Sequence, residues 1–153
     1  MILSTVCYIE KDEKYLMLHR TKKENDINKD KWIGIGGKFE DNESPEECVE
    51  REVLEETGLK LNSYKLKCIV TYTSTNWETE YMYVFTSNDF SGDLIECNEG
   101  DLQWVEKNKI INLNTWEGDK IFLNKIQKDN TFFTVKFNYD GDKLIKYSLE
   151  EYI

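Results

Sequence analysis

The chain has 153 residues and a formal net charge of −10, from 30 acidic against 20 basic side chains. Hydrophobic residues make up 39% and aromatics 13%, enough for the core of one domain and not comfortably for two. The acidic balance disfavours DNA, RNA or an anionic membrane as partner, because phosphate contacts need Lys and Arg, and no apolar run reaches the roughly 18 residues of a membrane helix.

Cys7, Cys48, Cys68 and Cys97 are scattered without a C-x-x-C pair, and His19 is the only histidine. That pattern reads as reduced thiols and argues against zinc. No basic segment precedes the first apolar residues, and Glu10-Lys11-Asp12-Glu13 follow soon after, so a signal peptide is not expected. The expectation is a soluble, cytoplasmic chain, a monomer or a homodimer.

In chain order, Ile2 to Ile9 and Tyr15 to His19 are β-branched and aromatic runs around a polar break, the pattern of a hairpin. Thr21 to Lys31 is polar and predicts a mobile loop. Its Lys22 and Lys23 read as solvated, whereas Arg20, at the end of the second strand, is the better phosphate candidate. Trp32 to Lys38 is glycine-rich. It lacks the Ser or Thr of a P-loop and the third glycine of a dinucleotide loop, because Phe39 stands at both positions. Its glycines instead allow the backbone close to an ion or phosphate, where a Gly36 carbonyl is a hard oxygen ligand.

Ser44 is a good helix N-cap, Pro45 fits the first turn, Glu47 completes a capping box and Gly58 suits the closing left-handed residue. These signals predict a helix from about Pro45 to Thr57. At roughly 100° per residue, Glu52, Glu55 and Glu56 share one arc of it, with Val49 and Val53 turned inward. Like charges so placed repel, and a hard divalent cation such as Mg²⁺ or Mn²⁺ relieves that cost. Arg51 is placed to pair with Glu55 or Glu43. Glu43 to Thr57 carries seven acids and one arginine, net −6, so the imbalance is local. The alternative reading is a solvated acidic face.

Further on, Tyr64–Thr75 and Tyr81–Thr86 read as strands, Asp89–Asp93 as a turn, and Leu102–Val105 as a short strand. Glu96, Glu99 and Asp101 form a second acidic group, from which Glu99 is the choice to reach back to a metal. Ile121, Phe122 and Ile126 predict a second helix over roughly 117–128, and Phe132–Phe137 with Leu144–Leu149 a closing hairpin. Strands interleaved with two helices and no internal linker make 1–153 a single α/β domain.

The string Gly37, five residues, Glu43, seven residues, Arg51-Glu52-Val53, one residue, Glu55-Glu56, one residue, Gly58-Leu59 resembles a complete Nudix box. The chain is thereby identified as a member of the Nudix hydrolases, whose fold is a mixed β-sheet between helices (α/β/α) with the box as loop–helix–loop. Beyond the box, Lys31-Trp32-x-Gly-x-Gly-Gly-Lys38, Trp116 with Asp119, and the closing hairpin resemble MutT-type 8-oxo-dGTP diphosphatases. They are most similar to a bacterial subgroup shared with the animal nucleotide-pool sanitising enzymes. The resemblance implies metal ligands at Glu52, Glu55, Glu56, Glu99 and the Gly36 carbonyl, with Mg²⁺ as the cofactor and Mn²⁺ as the alternative.

It also implies attack of water on the β-phosphorus of a nucleoside triphosphate. Glu52 is the favoured base, Glu55 and Glu99 stay open, and Arg51 counts with the catalytic group. Arg20, Gly37 and Lys38 fall to the phosphates. Trp116 would stack on a purine, Asp119 accept from a guanine edge, and Thr5 line the same pocket. The alternatives are Trp116 as core and Asp119 as a helix N-terminal charge. Ile33 departs from the asparagine of the animal enzymes and cannot hydrogen-bond a base. The box is common to hydrolases of ADP-ribose, dihydroneopterin triphosphate, dinucleoside polyphosphates and ordinary dNTPs, and to a non-catalytic binding domain of the same fold.

Overall fold

The computed structural model describes residues 1–153. Strand β1 (Ile2–Lys11) and β2 (Lys14–Arg20) form the expected hairpin. Asp12 and Glu13 turn it with positive φ of 53° and 62°, the geometry of a two-residue turn that matches strand twist. Both strands are buried on both faces. Val6, Tyr8, Tyr15 and Met17 enter one hydrophobic cluster, while Cys7, Ile9, Leu16 and Leu18 enter another. A strand covered on both sides reads as a continuous apolar run, which is how these two appear in the sequence.

The remaining strands are β3 (Trp32–Ile33), β4 (Ile35–Lys38), β5 (Lys60–Ser74), β6 (Glu80–Ser91), β7 (Gly100–Glu106), β8 (Phe132–Asp140) and β9 (Lys143–Tyr152). They make one mixed sheet in the order β3-β2-β1-β6-β5-β8-β9, with β4 on β1 and β7 on β2. β1 with β6 and β5 with β8 are parallel pairs; the others are antiparallel. Helix α1 (Pro45–Thr57) covers one face through Val49 and Val53, and α2 (Glu117–Lys128) covers the other through Phe122, Leu123 and Ile126. This is the expected layering of a sheet between helices. The four cysteines are buried and free.

One expectation needs correction. Asp89 is not in a turn: β6 runs on to Ser91, with Asp89 opposite Ser63 and Phe90 opposite Leu61, and Gly92 at φ 105° makes the turn. The strand extends because β5 starts earlier than its aromatic run, at Lys60, so that Leu61 reaches the α1 cluster. Lys107–Asn112 is a short 3-10 turn that no periodicity announced. The 21–31 segment is a loop, as expected, with Asp26 and Asn28 hydrogen-bonded to Arg20 and Trp116.

Phe122 is fully buried and packs edge-on against Tyr8 at 5.9 Å between centroids. Phe122→Ala is expected to cost about 3–5 kcal/mol and to lower the melting temperature by on the order of 10 °C in a thermal scan.

Candidate active site

Helix α1 begins and ends where its sequence signals place it. Glu47 N–H donates to Ser44 Oγ at 3.1 Å, Ser44 N–H donates to Glu47 Oε1 at 2.9 Å, and Gly58, at φ 79°, donates to Leu54 O at 2.9 Å. With both ends fixed, the rotational setting of the acidic residues follows from burial of Val49 and Val53. That setting separates three glutamates which periodicity alone puts on one arc. Glu56 is 8% exposed. The Glu52 side chain is 15% exposed and lies against the Gly37 backbone, while the Glu55 side chain is 59% exposed.

Arg51 organises this face. Its Nε and Nη2 donate to the two oxygens of Glu43 at 2.6 and 2.9 Å, and its Nη1 donates to Glu52 at 2.8 Å and Glu55 at 3.3 Å. Its remaining donor capacity reaches the Lys38 carbonyl at 3.1 Å, which ties α1 to the end of β4. Both expected Arg51 partners are therefore engaged at once. The arginine holds the Glu43 carboxyl down at about 2. Burial pushes Glu52 up, against the pull of Arg51. Burial also pushes Glu56 well up, and the nearby negative Glu99 adds to it. Glu99 is itself raised by burial but is held below its ordinary value by Glu56, Lys23 and Arg20.

Glu52, Glu56 and Glu99 line one end of a cleft of about 910 Å³, beside Gly36, Gly37 and Lys38. Glu99 arrives from the segment before β7. Glu55 is not in the cleft lining; it faces solvent and Arg51. Arg20 also lines the cleft. Its Nε donates to Asp26 at 2.7 Å and its Nη1 to Glu99 at 2.8 Å, so its charge is already matched by carboxylates. Lys23 takes the other Glu99 oxygen at 3.0 Å, and Lys22 donates to the Cys97 carbonyl at 2.8 Å.

The opposite end of the cleft holds Trp116 and Asp119. Asp119 is buried in the first turn of α2 and accepts from the Tyr72 hydroxyl at 2.6 Å. Burial raises its carboxyl to about 7, with Glu80 adding to the rise and Tyr72 and Lys31 opposing it. Trp116 is half-buried, edge-on to Tyr139 at 5.4 Å, with Lys31 Nζ 4.6 Å above its ring. Its indole N–H donates to Asn28 Oδ1 at 2.7 Å, so the 21–31 loop is tethered at both ends of the cleft, by Asp26 to Arg20 and by Asn28 to Trp116.

Thr5 borders the cleft, but its hydroxyl lies 3.4 Å from Cys48 Sγ, on the α1 side of the sheet. The β1 neighbour on the other face, Ser4, donates to Glu80 Oε2 at 2.5 Å. Tyr72, Glu80, Ser4 and Met82 thus line the cleft without having been picked out in sequence. Strand alternation is the signal that could have found them, once β1, β5 and β6 are known to be neighbours.

A family model described as the NUDIX domain matches residues 2–126. The chain belongs to the Nudix family. A Bacillus subtilis (strain 168) protein named as the Nudix hydrolase YvcI is 30% identical over 152 residues, covering 95% of this chain and 92% of that one. An oxidized purine nucleoside triphosphate hydrolase of Danio rerio is 28% identical over 124 residues, 79% of this chain and 78% of its own. The crystal structure of a mutator MutT protein from Bacillus halodurans superposes with a TM-score of 0.88 at 25% identity, covering 98% of both chains.

As a Nudix hydrolase the chain acts on phosphoanhydride bonds, and Nudix hydrolases generally use divalent metal ions. The residues fit such an ion: Glu56 Oε2 is a buried carboxylate oxygen with no hydrogen-bond partner, facing a cleft. No three acidic side chains are yet gathered into a coordination shell. Arg51 pairs with Glu52, and Arg20 and Lys23 pair with Glu99.

The Nudix loop also explains Gly37. A Cβ there would run into the Glu52 carboxylate, so Gly37→Ala is expected to displace that group rather than the fold. The prediction is a loss of turnover of about a hundredfold with the melting temperature within a few degrees of the parent, read by steady-state assay and thermal scan.

Proposed function

We propose that this Nudix hydrolase is a pyrophosphohydrolase of oxidised purine nucleoside triphosphates, converting 8-oxo-dGTP to 8-oxo-dGMP and pyrophosphate in nucleotide-pool sanitation. One observation carries the reading: a single cleft runs from the Glu52, Glu56 and Glu99 carboxylates to Asp119 and Trp116. A triphosphate needs the first group and a purine the second. Support also comes from the Danio rerio and Mus musculus relatives named for oxidized purine triphosphate hydrolysis, at 28% and 30% identity.

The carboxylates Glu52, Glu56 and Glu99 would hold Mg²⁺, or Mn²⁺ in its place, with the Gly36 carbonyl as a further hard ligand. When bound, the ion neutralises phosphate oxygens and acidifies water. Glu52 takes the proton from the water that attacks the β-phosphorus. Gly37 lets the Glu52 side chain lie against the β4 backbone, and its 2.8 Å pair with Arg51 is the contact it gives up to reach the ion. At the other end, Asp119 accepts from the N–H groups of a guanine edge beside Trp116.

Steady-state hydrolysis of 8-oxo-dGTP, dGTP, 2-oxo-dATP, ADP-ribose and a dinucleoside polyphosphate with Mg²⁺ tests the proposal. The expected result is a preference in kcat/KM of at least about tenfold for an oxidised purine, with pyrophosphate released. In isotopically labelled water the label enters pyrophosphate, since the β-phosphorus is attacked. Flat rates across triphosphates, or turnover confined to ADP-ribose, would overturn the substrate assignment.

A further inference from the structure

Glu80 opens β6 and stands in register with Tyr72 of β5 on one side and Ile2 of β1 on the other. Tyr72 is the residue that donates to Asp119, so the two carboxylates flank one tyrosine in the same cleft. The negative charge of Glu80 is among the influences that raise Asp119, which puts both in one electrostatic neighbourhood. Glu80 is half-buried, and its side-chain partner is the Ser4 hydroxyl on Oε2 at 2.5 Å. One bond to a neutral hydroxyl leaves a carboxylate, which has about four lone-pair sites, with acceptor capacity to spare.

Strand order fixes where along the cleft this group lies. The sheet steps from β8 through β5, β6 and β1 to β4. Tyr139 on β8 and Tyr72 on β5 sit at the Asp119 end, and Gly36–Lys38 on β4 at the carboxylate end. Glu80 on β6 is therefore intermediate. A purine nucleotide with its phosphates at the acidic end points its Watson–Crick edge away, to Asp119. When its N7–C8 flank, rather than the N3 flank across the glycosidic bond, is turned to β6, that flank meets the intermediate position.

That edge is where oxidation changes the hydrogen-bond code. An unoxidised purine has a bare acceptor at N7. An 8-oxopurine in its lactam form carries N7–H, a donor. We propose that Glu80 distinguishes oxidised from unoxidised purines by accepting a hydrogen bond from N7–H and repelling the bare N7 lone pair. This rests on the function proposed above and supplies the selectivity that the Ile33 side chain, with no hydrogen-bonding atom, does not. It extends the substrate class to 8-oxopurines of both guanine and adenine, since both carry N7–H. Discrimination by an acceptor that one substrate satisfies and the other opposes combines an attractive with a repulsive element.

The test compares kcat/KM for 8-oxo-dGTP, dGTP, 8-oxo-dATP and dATP in the parent, Glu80→Gln and Glu80→Asp enzymes. In Glu80→Gln the oxidised-to-unoxidised ratio falls at least about tenfold for both bases, mainly through KM. Turnover of dGTP and dATP rises in absolute terms, because the amide can donate to a bare N7. A structural role would not produce that gain. Glu80→Asp keeps the charge but withdraws the oxygens, so its ratio falls without the gain. An unchanged ratio in a selective parent, or an equal loss on all four substrates, overturns the role of Glu80 alone. A parent that is unselective overturns the proposed function and this inference together.

Discussion

Glu56→Gln lowers Mg²⁺-dependent turnover by about a thousandfold, as expected for removing several kcal/mol of charge stabilisation, while the apo protein stays at least as stable as the parent. Both halves follow from one feature. Glu56 is 8% exposed with Oε2 unpartnered, so its charge is unfavourable to folding and its oxygen has nothing to bind but an ion or a proton. Its raised carboxyl means that the apo protein holds a proton there, which cation binding must release. In the parent, adding Mg²⁺ raises the melting temperature and releases protons in weakly buffered solution. In Glu56→Gln both responses are lost or much reduced. A variant that keeps full turnover would show that α1 does not hold the ion through Glu56.

Asp119→Asn lowers kcat/KM for guanine-containing triphosphates by about a hundredfold, because an acceptor-only group becomes one that also donates toward N–H groups. Tyr72 retains an oxygen to bond at position 119, so the fold survives. The pH dependence has a defined sign. The Asp119 carboxyl is raised from 3.8 to about 7, so the folded chain holds a proton that the unfolded chain has lost. Its contribution to stability is full below about pH 4 and is lost as pH rises toward 7. At about 1.36 kcal/mol per pKa unit, that amounts to a few kcal/mol. Binding of a guanine edge needs the ionised form, so kcat/KM rises over the upper part of the same window. Denaturant titrations and kinetics from pH 4 to 8 should show both slopes in the parent; in Asp119→Asn the kinetic slope is much reduced, and the stability slope is smaller by the Asp119 share, leaving that of Glu56.

How much of this was legible in sequence depended on whether the determinant was local. The bounds of α1 follow from Ser44, Pro45, Glu47 and Gly58, and α2 from the spacing of Ile121, Phe122 and Ile126, all within a few turns of the chain. The differing burial of Glu52, Glu55 and Glu56 was not local. Which of them is buried depends on the roll of α1 against β1 and β4. The ion pairs of Arg20 were not legible because its partners, Asp26 and Glu99, lie six and 79 residues away in sequence. Tyr72, Glu80 and Ser4 escaped notice for the same reason: only the parallel β1–β6 pairing and the β5–β6 register bring them together. The Thr5 side chain falls on the opposite face from Ser4 by strand alternation, a parity that depends on knowing which face the cleft occupies.

The most direct measurement is a crystal structure of the protein with Mg²⁺ and a non-hydrolysable 8-oxo-dGTP analogue. The expected result is an ion at about 2.1 Å from a Glu56 oxygen, with Glu52 and Glu99 turned from Arg51, Arg20 and Lys23 toward the same site. The purine should lie beside Trp116 with its edge on Asp119. An ion bound away from α1, or a base lying outside the Trp116–Asp119 end of the cleft, would contradict both assignments.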